Sequence, residues 1–246
     1  MKKLKLISVV ILLFILINFN ISIVKAFEEE KNSNLFTICI DAGHQKKADS
    51  KLEAVSPNSD SKKPRVSQGT EGVGTKKAEY IVNLEAAFFL REVLYNKGYN
   101  VVMTRESHDV NISNIERAEI ANKAKADMTI RIHCDSIRDS IKTGATILIP
   151  SSKSNNTKSI YEASNKFANI LKDNLKKEGI KVNGIFERSD ITGFNWSKVP
   201  VVILEMGFMS NYNEDKMLCD ENYQKKLMNI VAESIDKYKE NEELKM

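Results

Sequence analysis

The sequence predicts a single three-layer α/β/α domain, with a mostly parallel central sheet and helices on both faces. Three observations predict it. Short apolar runs of strand length alternate with longer segments whose apolar residues recur at helical spacing, as in a parallel sheet wrapped by helices. The clearest runs, FTICI (36–40) and PVVILEM (200–206), show little polar alternation, which marks strands buried on both faces. Chemistry-bearing residues (His44, His133 and Glu205) close three of these runs, at the strand ends where open α/β sheets bind ligands.

At 246 residues the chain accommodates one sizeable domain, and it shows no internal repeat and no second core. The N-terminus is set apart. Lys2, Lys3 and Lys5 precede an apolar run from Ile7 to Ile17 that weakens toward Val24, and Val24-Lys25-Ala26 has the small-residue pattern of an export cleavage site. Residues 1–26 therefore read as a signal peptide, with an uncleaved membrane anchor as the alternative. No Cys lies near residue 26, which argues against lipid attachment there. This segment holds four Lys and no acidic residue, so the net charge of +4 falls to 33 − 33 = 0 for residues 27–246. Without a basic excess, a general nucleic-acid binder is disfavoured. Cys39, Cys134 and Cys219 form no C-x-x-C pair, and the first two sit in apolar runs as buried free thiols.

Taken in order, residues 27–34 are a polar, flexible lead-in to a domain over 35–240, with 241–246 as a tail. Strand one ends in Asp41-Ala42-Gly43-His44. Residues 45–77, rich in Lys, Ser, Gly and Asp, read as a long loop insertion, functional or disordered. Its part VSQGTEGVGT (66–75) carries three Gly and is expected to fold over a site. Ala78–Asn96 has helical spacing in Ile81, Leu84 and Phe88, with Gly98 as its stop. A strand over Tyr99–Thr104 follows, then a helix over Asn111–Lys125 with Ser113 as cap, and a strand over Met128–Ile132 that runs into His133. Thr143–Pro150 is a strand, Ser159–Lys177 a helix, and Val182–Phe186 a further strand. After Pro200–Met206 come two helices, near Asn213–Leu218 and over Glu221–Tyr238, and a charged tail that frays from Lys239.

His44, His133 and Glu205 share one sheet edge, and Glu79 opens the helix after the first strand. Two His and one carboxylate make a catalytic zinc set with one position left for water, and a second carboxylate beside it serves as general base. Glu205 stands inside VVILEM, where a charge is costly unless paired or close to a metal. The structural alternative for Glu205 is an ion pair with Arg105 or Arg188, and for Glu79 a mere complement to the helix dipole. Spacing alone does not divide the two roles between Glu79 and Glu205.

Six pieces, IDAGH (40–44), AEYIVNL (78–84), VVMTR (101–105), ERAEIAN (116–122), IRIHCDS (130–136) and PVVILEMGFMSN (200–211), occur in the order found in one family. On them the chain resembles the zinc-dependent N-acetylmuramoyl-L-alanine amidases of the Amidase_3 type, over residues 36–238. The resemblance implies one Zn2+ per chain held by His44, Glu79 and His133, with Glu205 as catalytic acid/base. Arg117 and Asn122 match family positions taken as structural support. Two departures stand out. The usual Gly-rich stretch after the first His gives way to the 45–77 insertion, and Arg131 stands where a Ser is common, which bears on substrate contacts. Short, exported and without wall-binding repeats, the chain is most similar to the spore-cortex amidases of clostridia. That implies peptidoglycan as substrate, removal of stem peptides for muramic-δ-lactam formation, an extracytoplasmic or forespore location, a protein activator, and membrane contact only through residues 1–26 if they are uncleaved.

The rival from another class is a non-catalytic peptidoglycan- or partner-binding protein with an amidase fold. Retention of all four residues weighs against it, and the absence of H-E-x-x-H weighs against a common kind of zinc peptidase. Of the remaining residues, His108 reads as a solvated loop His and Trp196 as a sugar-stacking or half-buried ring. Asp41 either orients His44 or holds its turn, with the turn preferred. The lysines of 46–63 read as solvated, or as attractors for an anionic glycan or a protein partner.

Overall fold

The computed structural model describes residues 35–244. The signal or anchor segment 1–26 and the lead-in 27–34 lie outside the described residues, as do the last two residues of the tail. No helix among the described residues is long and apolar enough to cross a membrane.

The strands of the central sheet are β1 (Thr37–Ala42), β4 (Asn100–Met103), β5 (Met128–Asp135), β6 (Ala145–Pro150), β7 (Val182–Arg188) and β8 (Val201–Phe208). Their spatial order is β4-β1-β5-β8-β6-β7. Every neighbouring pair is parallel except β6 with β8, so the sheet is mostly parallel as expected. β1 is buried along its whole length, as its unbroken apolar run requires.

Side-chain alternation along the strands sorts the two faces. Ile38, Ile40 and Ala42 join the main core with side chains of α1 (Glu79–Asn96), α3 (Lys158–Lys177) and α6 (Glu221–Glu243). Cys39 points the other way, to Ala121 of α2 (Asn114–Lys123), while Val201 and Ile203 meet Phe194 of the short α4 (Thr192–Asn195). Helix α5 (Tyr212–Leu218) links β8 to α6. Local signals explain the helix ends. Ser113 and Glu116 form a reciprocal capping box at α2. Gly98, at φ +82°, closes α1, with Tyr99 N–H donating to Leu94 O and Gly98 N–H to Tyr95 O.

Four expectations need correction. The 45–77 insertion is no structureless loop: it contains an antiparallel hairpin of β2 (Asp49–Ala54) and β3 (Lys62–Val66). Its outer face is lysine-rich, so the apolar alternation that signals a strand is missing. The hairpin is pinned internally by the Arg65–Asp49 pair and docks through polar contacts: Arg65 pairs with Glu116, Asn114 donates to Arg65 O, and Trp196 Nε1–H donates to Ala54 O. Trp196 is thus a half-buried packing residue. β5, β7 and β8 each run two to three residues beyond the apolar signal, so His133 lies inside its strand and Glu205 is further from the end of its own. Helix α6 continues through the predicted frayed tail to Glu243, with Lys166 of α3 reaching Glu242. Helix α4 was not predicted; its four residues are too few to show a period.

Fourth, Asp41 neither orients His44 nor holds its turn with its own side chain. It points to the α2 face, only 1% exposed. Thr104 Oγ1–H and Arg117 Nη1–H donate to its Oδ1 at 2.6 and 2.7 Å, and Arg131 Nε–H donates to Oδ2 at 2.7 Å. Burial opposes its charge, but the two guanidiniums prevail and hold the carboxyl far below the usual carboxylate range. Removing one partner from a buried ion pair typically costs about 3–5 kcal/mol. Asp41→Ala should therefore lower the urea-unfolding free energy by roughly that amount; a loss well under 1 kcal/mol would mean that the guanidiniums find other partners.

Candidate metal centre

The motif IDAGH makes sense atom by atom. His44 adopts φ +59°, a left-handed conformation that a non-glycine residue holds only when its surroundings enforce it. Two buried arginines enforce it. Arg105 donates to the carbonyls of Ala42, Gly43 and Tyr80 at 2.8–2.9 Å. Arg117 donates to the carbonyls of Ala42 and His44 at 2.9 and 2.8 Å. Gly43 leaves room for the second histidine, because a Cβ there would lie 2.3–2.5 Å from the His133 ring.

The imidazoles of His44 and His133 meet edge to face, with centroids 4.8 Å apart. Glu79, at the first position of α1, reaches both: Oε2 lies 3.2 Å from His44 Nε2, and Oε1 lies 3.2 Å from His133 Nδ1. One ligand atom from each of the three residues falls within 4.8 Å of the other two. The carboxylate is further anchored by N–H donors from Thr70, Cys134 and Asn83, at 3.0, 3.1 and 3.1 Å. Glu79 is thus far more than a dipole complement. Burial works against its charge, yet the hydrogen bonds and charges of His133 and His44 keep its carboxyl well below the ordinary range. Burial also pushes the His133 pKa down to about 4, against the opposing pull of Glu79, so this imidazole is neutral at pH 7.

The donor set fits a cation. His44 Nδ1 is 3.0 Å from the carbonyl of Ser67, which can only accept, so the proton sits on Nδ1. Nε2 then presents a lone pair to an ionised carboxylate oxygen 3.2 Å away, a contact that calls for a proton or a cation between them. That separation is close to the edge of about 3.3 Å expected between ligand atoms on a tetrahedral zinc. Buried polar atoms without a hydrogen-bond partner among the described residues include His133 Nε2 and Glu205 Oε2.

Glu205 sits beside His133 in the register of β8 against β5. The ion pair considered from the sequence does not form: Arg188 pairs with Asp190, and Arg105 is engaged by carbonyls. Burial, then the negative charges of Glu79 and Asp135, push the Glu205 pKa well above the glutamate range. The segment 66–75 does cover the cluster. At Gly69, φ +81°, an added Cβ would lie 2.8 Å from Glu79 Oε2 and 2.9 Å from His44 Cγ. Downstream, Asp215 accepts from the backbone N–H groups of Gly74 and Thr75 and from the Thr75 hydroxyl, tying the segment to α5. Sequence reasoning missed Ser67 and Thr70 as supports because both act through backbone atoms. Asn122 braces α4 by donating to Trp196 O and accepting from Lys198 N–H. His108 is not simply solvated: its ring packs edge to face on Tyr80, at 5.3 Å between centroids.

The sequence profile of a family described as N-acetylmuramoyl-L-alanine amidase, Amidase_3, matches residues 38–237. The chain belongs to the Amidase_3 family. One Amidase_3-like relative is the germination-specific N-acetylmuramoyl-L-alanine amidase of Bacillus subtilis, 27% identical over 180 residues, 68% of this chain and 73% of that one. A second is the probable cell wall amidase LytH of Staphylococcus saprophyticus, 26% identical over 66% of this chain; the match spans half of that protein's length. The solved structure of the CwlD amidase from Clostridioides difficile, in complex with the GerS lipoprotein, shares the fold. Its TM-score is 0.64 at 24% identity, covering 82% of this chain and 97% of that one.

Two outcomes follow for this Amidase_3 centre. Gly69→Ala should weaken zinc binding at least tenfold in a competition titration, because its Cβ cannot enter without moving Glu79 or His44; unchanged affinity would show that the cover shifts freely. In the metal-free protein, Glu205 keeps its proton when folded over a pH range where it loses it unfolded, so its ionisation opposes folding at neutral pH. Glu205→Gln should therefore raise the melting temperature at pH 7. That gain should vanish well below the unfolded-state value of about 4.3, where both states are protonated.

Proposed function

We propose that the chain is a zinc-dependent hydrolase of the amide bond between N-acetylmuramic acid and L-alanine in peptidoglycan. The observation that carries this reading is the cluster of His44, Glu79 and His133 with the unpartnered Glu205 carboxyl on the neighbouring strand, in a chain of the Amidase_3 family. In this reading His44, Glu79 and His133 would hold the metal. A bound zinc supplies Lewis acidity at the scissile carbonyl and lowers the pKa of a water toward about 7. Glu205 takes the proton of the attacking water and delivers it to the departing L-alanine amine. Burial and the charges of Glu79 and Asp135 raise its pKa above the ordinary glutamate range, the direction that makes a carboxylate a stronger proton acceptor. Thr70, Cys134 and Asn83 fix Glu79, and Ser67 fixes the tautomer of His44.

The biological setting in this reading is removal of stem peptides from spore cortex, ahead of muramic-δ-lactam formation and germination, outside the cytoplasm after export through residues 1–26. Its support is the germination-specific amidase among the relatives and the likeness to CwlD. A regulatory protein partner belongs to the same reading, because CwlD was solved with a lipoprotein.

The deciding experiment incubates the zinc-loaded full chain with purified peptidoglycan and identifies products by mass spectrometry. Free stem peptides beginning at L-alanine are expected, lost on chelation and restored by zinc. Glu205→Gln should cut turnover by about 10²-fold or more with its zinc content unchanged. Near-full turnover in that variant would refute the assigned base, and products cut within the stem peptide would refute the amidase reading.

A further inference from the structure

Beside the metal cluster, on the α2 face, lies a cavity of about 140 Å³. His44 and His133 line it at one side; the rest of its wall includes Arg131, Arg117, Asn114, Ile191 and Ile203. The two arginines differ in how far the protein satisfies them. A guanidinium has five N–H donors. Those of Arg117 meet Ile112 O, Asp41, Ala42 O, His44 O and Gln45 Oε1, so that all five are engaged. Arg131 is 5% exposed, yet its bonds within the described residues are two: Nε–H to Asp41 and Nη2–H to Asn114 Oδ1. Its Nη1 makes no hydrogen bond among the described residues and lies close to Gly193, where an added Cβ would come within 2.4 Å. Within this trio one carboxylate, Asp41, serves two guanidiniums, and Arg131 stands beside apolar Ile191 and Ile203. A cationic donor held in such a wall favours an anion with two oxygens.

We infer that Arg131 is a specificity-determining residue that receives a substrate carboxylate, the free α-carboxylate of the D-glutamate that follows L-alanine in the stem peptide. This rests on the amidase reading for the identity of the substrate. The reach agrees. Arg131 and His133 are two positions apart on one face of β5, about 6.6 Å along the strand. In the substrate, five covalent bonds separate the scissile nitrogen from that carboxyl carbon, a span of about 6–7 Å for two extended residues.

The test compares two dipeptides, L-alanyl-D-glutamate and its α-amide, L-alanyl-D-isoglutamine. Calorimetry on the zinc-loaded full chain measures their binding, and the matching N-acetylmuramyl dipeptides measure kcat/KM. The acid should bind at least tenfold tighter than the amide, and Arg131→Gln should bring the two affinities together. Gly193→Ala, which crowds Nη1 while keeping the charge, should narrow the gap and serves where Arg131→Gln does not fold. Equal affinities in the wild-type protein, or a preference that survives Arg131→Gln, would overturn the inference. Hydrolysis of both substrates without preference would sink the carboxylate site and leave the amidase reading standing. Discrimination in binding with no hydrolysis would do the reverse.

Discussion

The buried cluster in which Asp41 meets Arg117 and Arg131 is the constraint on which the rest of the site depends. Asp41 fixes two guanidiniums in the plane beneath the strand ends. Arg117, so fixed, reaches the carbonyls of Ala42 and His44, and Arg105 completes the clamp from the other side. The clamp in turn holds His44 in a backbone conformation it would otherwise avoid. Buried ionic groups are poor sources of net stability, and their better-attested use is to specify one arrangement among several. Here the arrangement specified is the position of an imidazole.

A second layer of support comes from backbone rather than side chains. The carbonyl of Ser67 and the N–H groups of Thr70 and Cys134 orient the cluster. Such contacts tolerate a change of side chain, but they demand that the chain pass at one distance. Gly43 and Gly69 set that distance, one beneath the His133 ring and one above Glu79. The centre is thus packed between two positions where a single methyl group does not fit.

Much of the architecture was legible because apolar runs and caps are local signals. β1 and β8 were plain from FTICI and PVVILEM, and α2 and the end of α1 followed from Ser113 and Gly98. The β2–β3 hairpin was not legible, since a strand whose outer face is lysine carries no apolar period and its docking is polar. His44 and His133 were readable as chemistry at strand ends, Glu205 as a charge inside an apolar run and Glu79 through the motif AEYIVNL, and the structure brings them together. The role of Asp41 was not readable, because its partners lie 63 to 90 residues away in sequence and nothing local distinguishes a turn-holding Asp from a buried one.

His44 and Glu79 bracket the insertion that carries the hairpin. Any cation joining them would therefore close that segment into a loop, as a disulfide does between two cysteines. Loop-closure entropy grows only slowly with length, by about 0.6 kcal/mol for each doubling. An insertion closed in this way can lengthen, shorten or be rebuilt at its far end with little penalty to the centre. The hairpin tip around Asn58 is thus the place where a change of length should disturb the centre least.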